Sequence, residues 1–330
     1  MSGNSLPESL LARVLQLYGI TDFTLAAVNG GYRNVSHHLS TSQGELNLML
    51  YKSEPGIVER VRRVDALGDH LATAGLPVRT RYDPRIITLH GRSTRYVGLY
   101  RYVPGVTIPW EAYTMKHIKL LGWALGDMHN AARDFSGTLP SVIDEYRAIL
   151  TRMERYLSRP DIVTALADKC QLRLSPHALA DCAKLLDASA LLPDQQPLHM
   201  DFVRGNVLFS DQPGSRYQLG TVSLSGIIDL EKAAYGPRVF DLARTLAFLY
   251  ADCDSKPADK IYKYFIESGY MKRGHGVCEP AELGILEPLV ATMLLYDFYK
   301  FLRDNPYESL DQNHHFRRTR DILIARKVLY

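Results

Sequence analysis

The sequence predicts an α+β chain of two lobes, a small antiparallel-sheet lobe followed by a larger helical one. Three observations predict it. Three short strand-like runs, "DFTLAAV" (22–28), "NVSHHLST" (34–41) and "ELNLMLYK" (45–52), are split by the turn signals "NGG" and "SQG". Beyond residue 110 the apolar spacing changes to long helical repeats. Between the two regimes lies "YRYVPGVTI" (100–108), a natural joint that divides 1–103 from 104–330.

In chain order, residues 6–18 read as a short amphipathic helix opened by Ser5, Leu6 and Pro7. The third strand-like run alternates, with Leu46, Leu48 and Leu50 on one face and Asn47, Met49 and Tyr51 on the other. A helix charged on one side follows over 54–74 and stops at Gly75 and Pro77. Two more strands near 85–90 and 94–103 complete the first lobe. Helical periodicity then covers 114–134, 141–158, 173–190, 239–251, 258–269 and 280–303, with a last helix near 308–329. Two short strands, "NVLFS" and "SGIIDLE", interrupt the helices.

Composition narrows the classes. A formal net charge of only +3 gives no electrostatic footprint for nucleic acid, and the short "RVRRVD" run suits a solvated helix face. Cys170, Cys182, Cys253 and Cys278 lie far apart without a CxxC pair, which argues against structural zinc and for reduced thiols. No apolar run approaches the roughly 18 residues that a bilayer span needs, and the first residues lack a signal-peptide pattern. The expectation is a cytoplasmic protein with neither a membrane nor a nucleic acid as partner. The sequence leaves its oligomeric state open.

The chemistry concentrates in "LHMDFVRGNVLF" (198–209). Asp201 and Asn206 flank a Phe-Val-Arg-Gly loop that runs into an apolar strand. One carboxylate can orient a nucleophile while one amide oxygen reaches a metal. A second apolar strand ends at Asp229, so two strands joined by a loop would bring Asn206 and Asp229 together. Their oxygens are hard ligands suited to Mg²⁺, which phosphate oxygens and water normally complete. A nucleoside triphosphate is therefore implied as the second ligand.

This H-x-D-x-x-x-x-N segment followed by I-I-D resembles the aminoglycoside phosphotransferase and choline kinase superfamily, which is similar in fold to protein kinases. The resemblance covers most of the chain. It extends to "NGGYRNVSHHL" as a nucleotide loop, "YRYVPG" as a hinge, "LGWALGDMHNA" as a helix and "YGPRVFDLART" after the metal Asp. Within the superfamily, "ELNLMLYKSE" and "LHMDFVRGNVLF" are most similar to the homoserine-kinase-type branch. The resemblance implies a two-lobed kinase-like fold, with 1–103 as nucleotide-binding lobe and 104–330 as catalytic and acceptor-binding lobe. It implies ATP and Mg²⁺ as cofactors and transfer of the γ-phosphate to a hydroxyl of a small molecule, such as homoserine. An aminoglycoside, a choline-like alcohol, a protein Ser/Thr acceptor or a non-catalytic ATP-binding pseudokinase are the alternatives.

Roles follow from the matching positions. Asp201 serves the acceptor hydroxyl as base or orienting group. Arg204 could stabilise phosphate charge or bind a substrate carboxylate. Asn206 and Asp229 hold the metal. Gly30, Gly31, Arg33, Asn34, Lys52, Tyr100 and Tyr102 fall on the nucleotide loop, the strand end and the hinge. Val28 and Leu99 are candidate walls for the adenine. His199 and Asp241 scaffold the catalytic loop, and His129 packs near it.

One departure stands out. Many kinase-like proteins carry a lysine on the third strand, paired with a helix glutamate, to grip the nucleotide phosphates. The equivalent position here is Met49, and Lys52 has the opposite parity. On the helix, Val64 falls near the glutamate position, with Asp65 beside it and Glu59 a turn earlier. Arg33 and Lys52 are the sequence's candidates for the missing charge.

Overall fold

Alternation along the third strand decides how the first sheet is buried. In the computed structural model, which describes residues 5–30, 34–91, 93–212, 214–273 and 278–330, that strand is β3 (Gly44–Tyr51). It lies centrally in a five-stranded antiparallel sheet with β1 (Phe23–Gly30), β2 (Val35–Thr41), β4 (Arg81–Leu89) and β5 (Arg95–Arg101), in the order β1-β2-β3-β5-β4. Leu46, Leu48 and Leu50 enter a core with Leu11, Val14 and Leu15 of helix α1 (Glu8–Leu17). Met49 and Tyr51 face the other way, against Ile57 and Val61 of helix α2 (Ile57–Thr73) and against Tyr100. A period-two strand between two helices thus serves two separate cores.

The chain divides into two compact units, Met1–Gly105 with Ser225–Glu231, and Val106–Leu224 with Lys232–Tyr330. The return of 225–231 to the first unit follows from backbone pairing. Ile227 N donates to Pro77 O at 2.7 Å, and Arg79 N donates to Ile227 O at 3.2 Å. Asp229 therefore belongs to the sheet unit although it lies far along the sequence.

The second unit is mostly helical. Its helices are α3 (Met115–Ala132), α4 (Val142–Leu157), α5 (Pro160–Lys169), α6 (Ala178–Ala190), α7 (Val239–Asp252), α8 (Ala258–Tyr262), α9 (Met271–Arg273), α10 (Pro280–Asp304) and α11 (His314–Ala325). The expected helix over 173–190 starts later, at Ala178, and α5 precedes it as a separate helix with Pro160 at its first turn, where a missing N–H costs nothing. The expected last helix is split into a 3₁₀ segment, Tyr307–Gln312, and α11, which Asn313 caps by accepting Phe316 N. Short strands are more numerous than expected: β6 (Gln195–Leu198), β7 (Val207–Ser210), β8 (Tyr217–Leu219), β9 (Val222–Ile227) and β10 (Ala234–Pro237). Three or four residues carry too little alternation to be recognised without their partners, such as β10 pairing with β6 through Ala234 and Leu198.

The expected helix over 258–269 gives way after Tyr262 to a π-helical segment, Lys263–Tyr270. That segment packs backbone to backbone on α3, where a Cβ on Gly122 would meet Phe265 O at 2.2 Å and Tyr270 N at 2.7 Å. Both obstacles are main chain and cannot rotate away. Gly122→Ala is therefore expected to cost about 3 kcal/mol, the upper end for overpacking. Thermal melting checks it, and an unchanged midpoint would contradict this close approach.

Candidate active site

In the second unit, the segment after β6 is fixed by one buried carboxylate. Asp241, in the first turn of α7 and fully buried, accepts His199 N at 2.7 Å and Met200 N at 2.6 Å. His129 from α3 reaches its Oδ2 through Nε2 at 2.9 Å, and the His129 Nδ1 lies 2.8 Å from the Tyr270 hydroxyl. These contacts hold Met200 at φ +60°, a left-handed conformation that a non-glycine residue adopts only when its surroundings impose it. The bend sets the direction of the next residue, Asp201. The scaffolding expected of His199 is present too, since its Nδ1 accepts Asp201 N at 3.2 Å.

Asp201 is oriented from two sides. Asn206 Nδ2 donates to its carbonyl at 2.9 Å and to its Oδ2 at 3.0 Å. Lys232 Nζ donates to Oδ1 at 2.8 Å. Burial alone would raise the Asp201 carboxyl. The Lys232 ammonium, with His199 and Arg244, more than offsets burial and holds it below the usual carboxylate range. Asp201 is therefore a fixed, ionised acceptor. Arg204 opens the 3₁₀ turn Arg204–Asn206 and is exposed; among the described residues it makes no hydrogen bond or ion pair.

In the first unit, Gly30 ends β1 opposite Val35. Gly31 and Arg33 lie outside the described residues. Asn34 donates from Nδ2 to Glu231 Oε1, tying the nucleotide-loop candidate to the segment that carries Asp229. Asp229 also adopts φ +60°, and its Oδ1 accepts Glu231 N at 3.2 Å. Lys52 follows the end of β3 and is exposed. Tyr102 donates its backbone N–H to Glu45 O at 3.1 Å and stacks on His38 with ring centroids 3.7 Å apart. Tyr100 turns inward. Its hydroxyl lies 2.6 Å from that of Tyr51 and 3.2 Å from Asp65 Oδ2. Leu99 packs instead in the α1 core on the opposite sheet face, so it is no wall of a cleft beneath Tyr100; adjacent strand residues face opposite sides.

The residues assigned to a metal offer oxygen donors. Asn206 commits its amide nitrogen to Asp201 and leaves Oδ1 without a protein partner among the described residues, as Asp229 leaves Oδ2. Among the described residues no cluster of three or more His, Cys, Asp or Glu could hold an ion by protein ligands alone. Each is a hard oxygen donor of the kind that Mg²⁺ takes alongside phosphate and water. Such an ion would neutralise developing phosphate charge.

Lys232, Glu231 and Arg79 adjoin the candidate residues, and reading the sequence did not single them out. Lys232 had one available signal, its position three residues after Asp229. The others had none, because helix and loop acids and arginines are mostly solvated.

A five-stranded antiparallel sheet with its helices, a bent loop presenting an ionised carboxylate, and oxygen donors suited to a phosphate-bound cation together define a kinase-like phosphotransferase. The chain belongs to the phosphotransferase enzyme family, whose model matches residues 24–273. It is a kinase, a phosphotransferase with an alcohol group as acceptor. Among curated proteins it is similar to the homoserine kinase of Methylobacterium nodulans, with 27% identity over 252 residues that cover 72% of this chain and 68% of the relative. The homoserine kinase of Methylorubrum populi matches at 27% identity over 297 residues, 86% of this chain and 79% of the relative. Among solved structures, a microcompartment-associated aminopropanol kinase has TM-score 0.70 at 15% identity, covering 98% of this chain and 99% of that one. The GDP complex of an aminoglycoside 2′-phosphotransferase mutant has TM-score 0.62 at 13% identity, covering 96% and 99%. At such identities the structural likeness establishes the fold. No helix among the described residues is long and apolar enough to cross a membrane.

Proposed function

We propose that the protein moves the γ-phosphate of ATP, with Mg²⁺, to the hydroxyl of a small amino acid such as homoserine. Asp201 orients that hydroxyl and takes its proton. Asn206 and Asp229 hold the metal. Gly30, Gly31, Arg33, Asn34, Lys52, Tyr100 and Tyr102 form the nucleotide-binding set, through backbone where the side chain turns inward. Arg204, exposed beside the base, faces phosphate charge or a substrate carboxylate.

The observation that carries the acceptor class is the charge pattern around Lys232, the partner of Asp201. Lys300 on α10 has its ammonium lowered, first by burial, and Arg244 and Lys232 add to the depression while Asp297 opposes it. Among the described residues it makes no ion pair, and it sits 5.6 Å from the Tyr296 ring centroid. Glu145 on α4 keeps exposed surface, yet desolvation raises its carboxyl against the pull of Lys232 and Arg152. An under-satisfied cation and an under-satisfied carboxylate suit a ligand that bears both a carboxylate and an ammonium. The relatives named homoserine kinase support the same reading. The free thiols Cys170, Cys182, Cys253 and Cys278 support a reducing, cytoplasmic setting.

The test is Mg²⁺-dependent ATP consumption with homoserine, 1-amino-2-propanol, choline, an aminoglycoside and a generic protein substrate. Homoserine is expected to give the highest turnover. Turnover confined to acceptors without a carboxylate would overturn the amino-acid reading, and ATP binding without turnover on any acceptor would favour a pseudokinase.

A further inference from the structure

The inward face of β3 carries Met49 and Tyr51 and no lysine. The same interior nevertheless holds a cation. Arg79 lies just ahead of β4, and its guanidinium carbon sits 4.4 Å above the Tyr100 ring centroid. Its backbone is fastened to Ile227, two residues before Asp229, and Val78 forms a parallel bridge with the same residue. The acid that α2 turns inward is Asp65, 8% exposed and accepting from the Tyr100 hydroxyl at 3.2 Å. Of the other two acids on that helix, Glu59 is exposed and Asp69 pairs with Arg81.

The charge balance here is incomplete. Among the described residues, the Arg79 guanidinium makes no hydrogen bond, and no carboxylate comes within 4.0 Å of it. Desolvation opposes its charge, while the hydroxyls of Tyr51 and Tyr100, and after them Asp229 and Asp65, favour it. Burial pushes the Tyr51 and Tyr100 hydroxyls up, so neither supplies an anion at neutral pH. Burial also raises Asp65 to about 6 despite Arg79, which weakens the one helix counter-charge available. A guanidinium has five N–H donors and cannot deprotonate, so setting one near Asp65, Asp229 and Glu231 without pairing it to any of them leaves donors for an anion not supplied by the chain.

We propose that Arg79 replaces the missing strand lysine as the cation that grips the nucleotide phosphates, with Asp65 as its counterpart on the helix. The charge arrives from the start of β4 instead of from β3, and Lys52 at the exposed strand end is not needed for it. This rests on the phosphotransferase reading and names the residue that completes it.

Calorimetric titration of adenosine, ADP and Mg²⁺-ATP into the intact wild-type chain, Arg79→Gln and Arg79→Lys tests the assignment, with circular dichroism to verify folding. Arg79→Gln is expected to weaken ADP and Mg²⁺-ATP by at least about tenfold, the scale of a lost charged hydrogen bond, with adenosine unchanged within about twofold. Arg79→Lys should recover part of the loss. A folded Arg79→Gln with wild-type affinity for ADP would overturn the proposal. So would Arg79→Lys losing the preference for ADP over adenosine, and that variant decides alone if Arg79→Gln does not fold. Failure of the wild type to bind any of the three would count against the phosphotransferase reading itself, a separate outcome.

Discussion

Asp201→Asn is expected to lower acceptor-dependent phosphate transfer by about 10³-fold, within the range for removing a positioned base, while the protein stays folded. The substitution is nearly isosteric. The amide oxygen can still accept from Asn206 Nδ2, which now donates to the carboxylate at 3.0 Å, while the amide NH₂ displaces Lys232 Nζ from its present 2.8 Å contact. What disappears is the negative charge facing the acceptor hydroxyl. Lys232 is 55% exposed, so water can satisfy its ammonium, and the melting midpoint should move by no more than about 4 °C. Steady-state turnover alongside a thermal melt checks both halves. A near-wild-type rate in the folded variant would remove Asp201 from the mechanism.

Asp241→Asn should fail differently. Its carboxylate accepts His199 N, Met200 N and the His129 Nε2 hydrogen, and the site is closed to water. An amide has one acceptor oxygen, and its NH₂ would confront an N–H that has no other partner. The expected loss is about 3 kcal/mol of stability, the cost of an orphaned buried donor bonded to a charge. Transfer should fall by about 10²-fold even in the folded fraction, because Met200 loses the bond that fixes its left-handed turn and Asp201 shifts from its working direction. A lowered melting midpoint together with lowered kcat identifies a positioning residue, in contrast to the Asp201 variant. An Asp241→Asn protein with unchanged melting and unchanged kcat would contradict this role.

Much of this architecture was legible from local pattern. The alternation of Leu46, Leu48 and Leu50 against Met49 and Tyr51 placed two opposite faces, and the structure puts them in two distinct cores. Long amphipathic stretches such as α3, α4 and α10 carry enough repeats for their period to be read. Elements of three or four residues do not, which is why β6, β8 and β10 went unrecognised and why the π-helical segment after Tyr262 read as continuous helix. The proximity of Asp201 and Asn206 was equally legible, because a tight loop keeps side chains five positions apart close together, although the sequence offered Asn206 as a metal ligand and not as a partner of Asp201. The structure joins them directly.

The sequence by itself determined the class of chemistry, the motif residues and the absence of a lysine from the inward face of β3, since each depends on neighbours within a few positions. Only tertiary structure decided what surrounds them. Lys232 meets Asp201 across 31 residues, Asp241 meets His199 across 42, and Asn34 meets Glu231 across 197. Arg79 was one of many arginines until folding placed it over Tyr100 with no carboxylate of the described residues within 4.0 Å. Charge-bearing side chains have no periodic signature. Their function is set by desolvation and by partners brought in from distant segments, and both come into being only when the chain closes on itself.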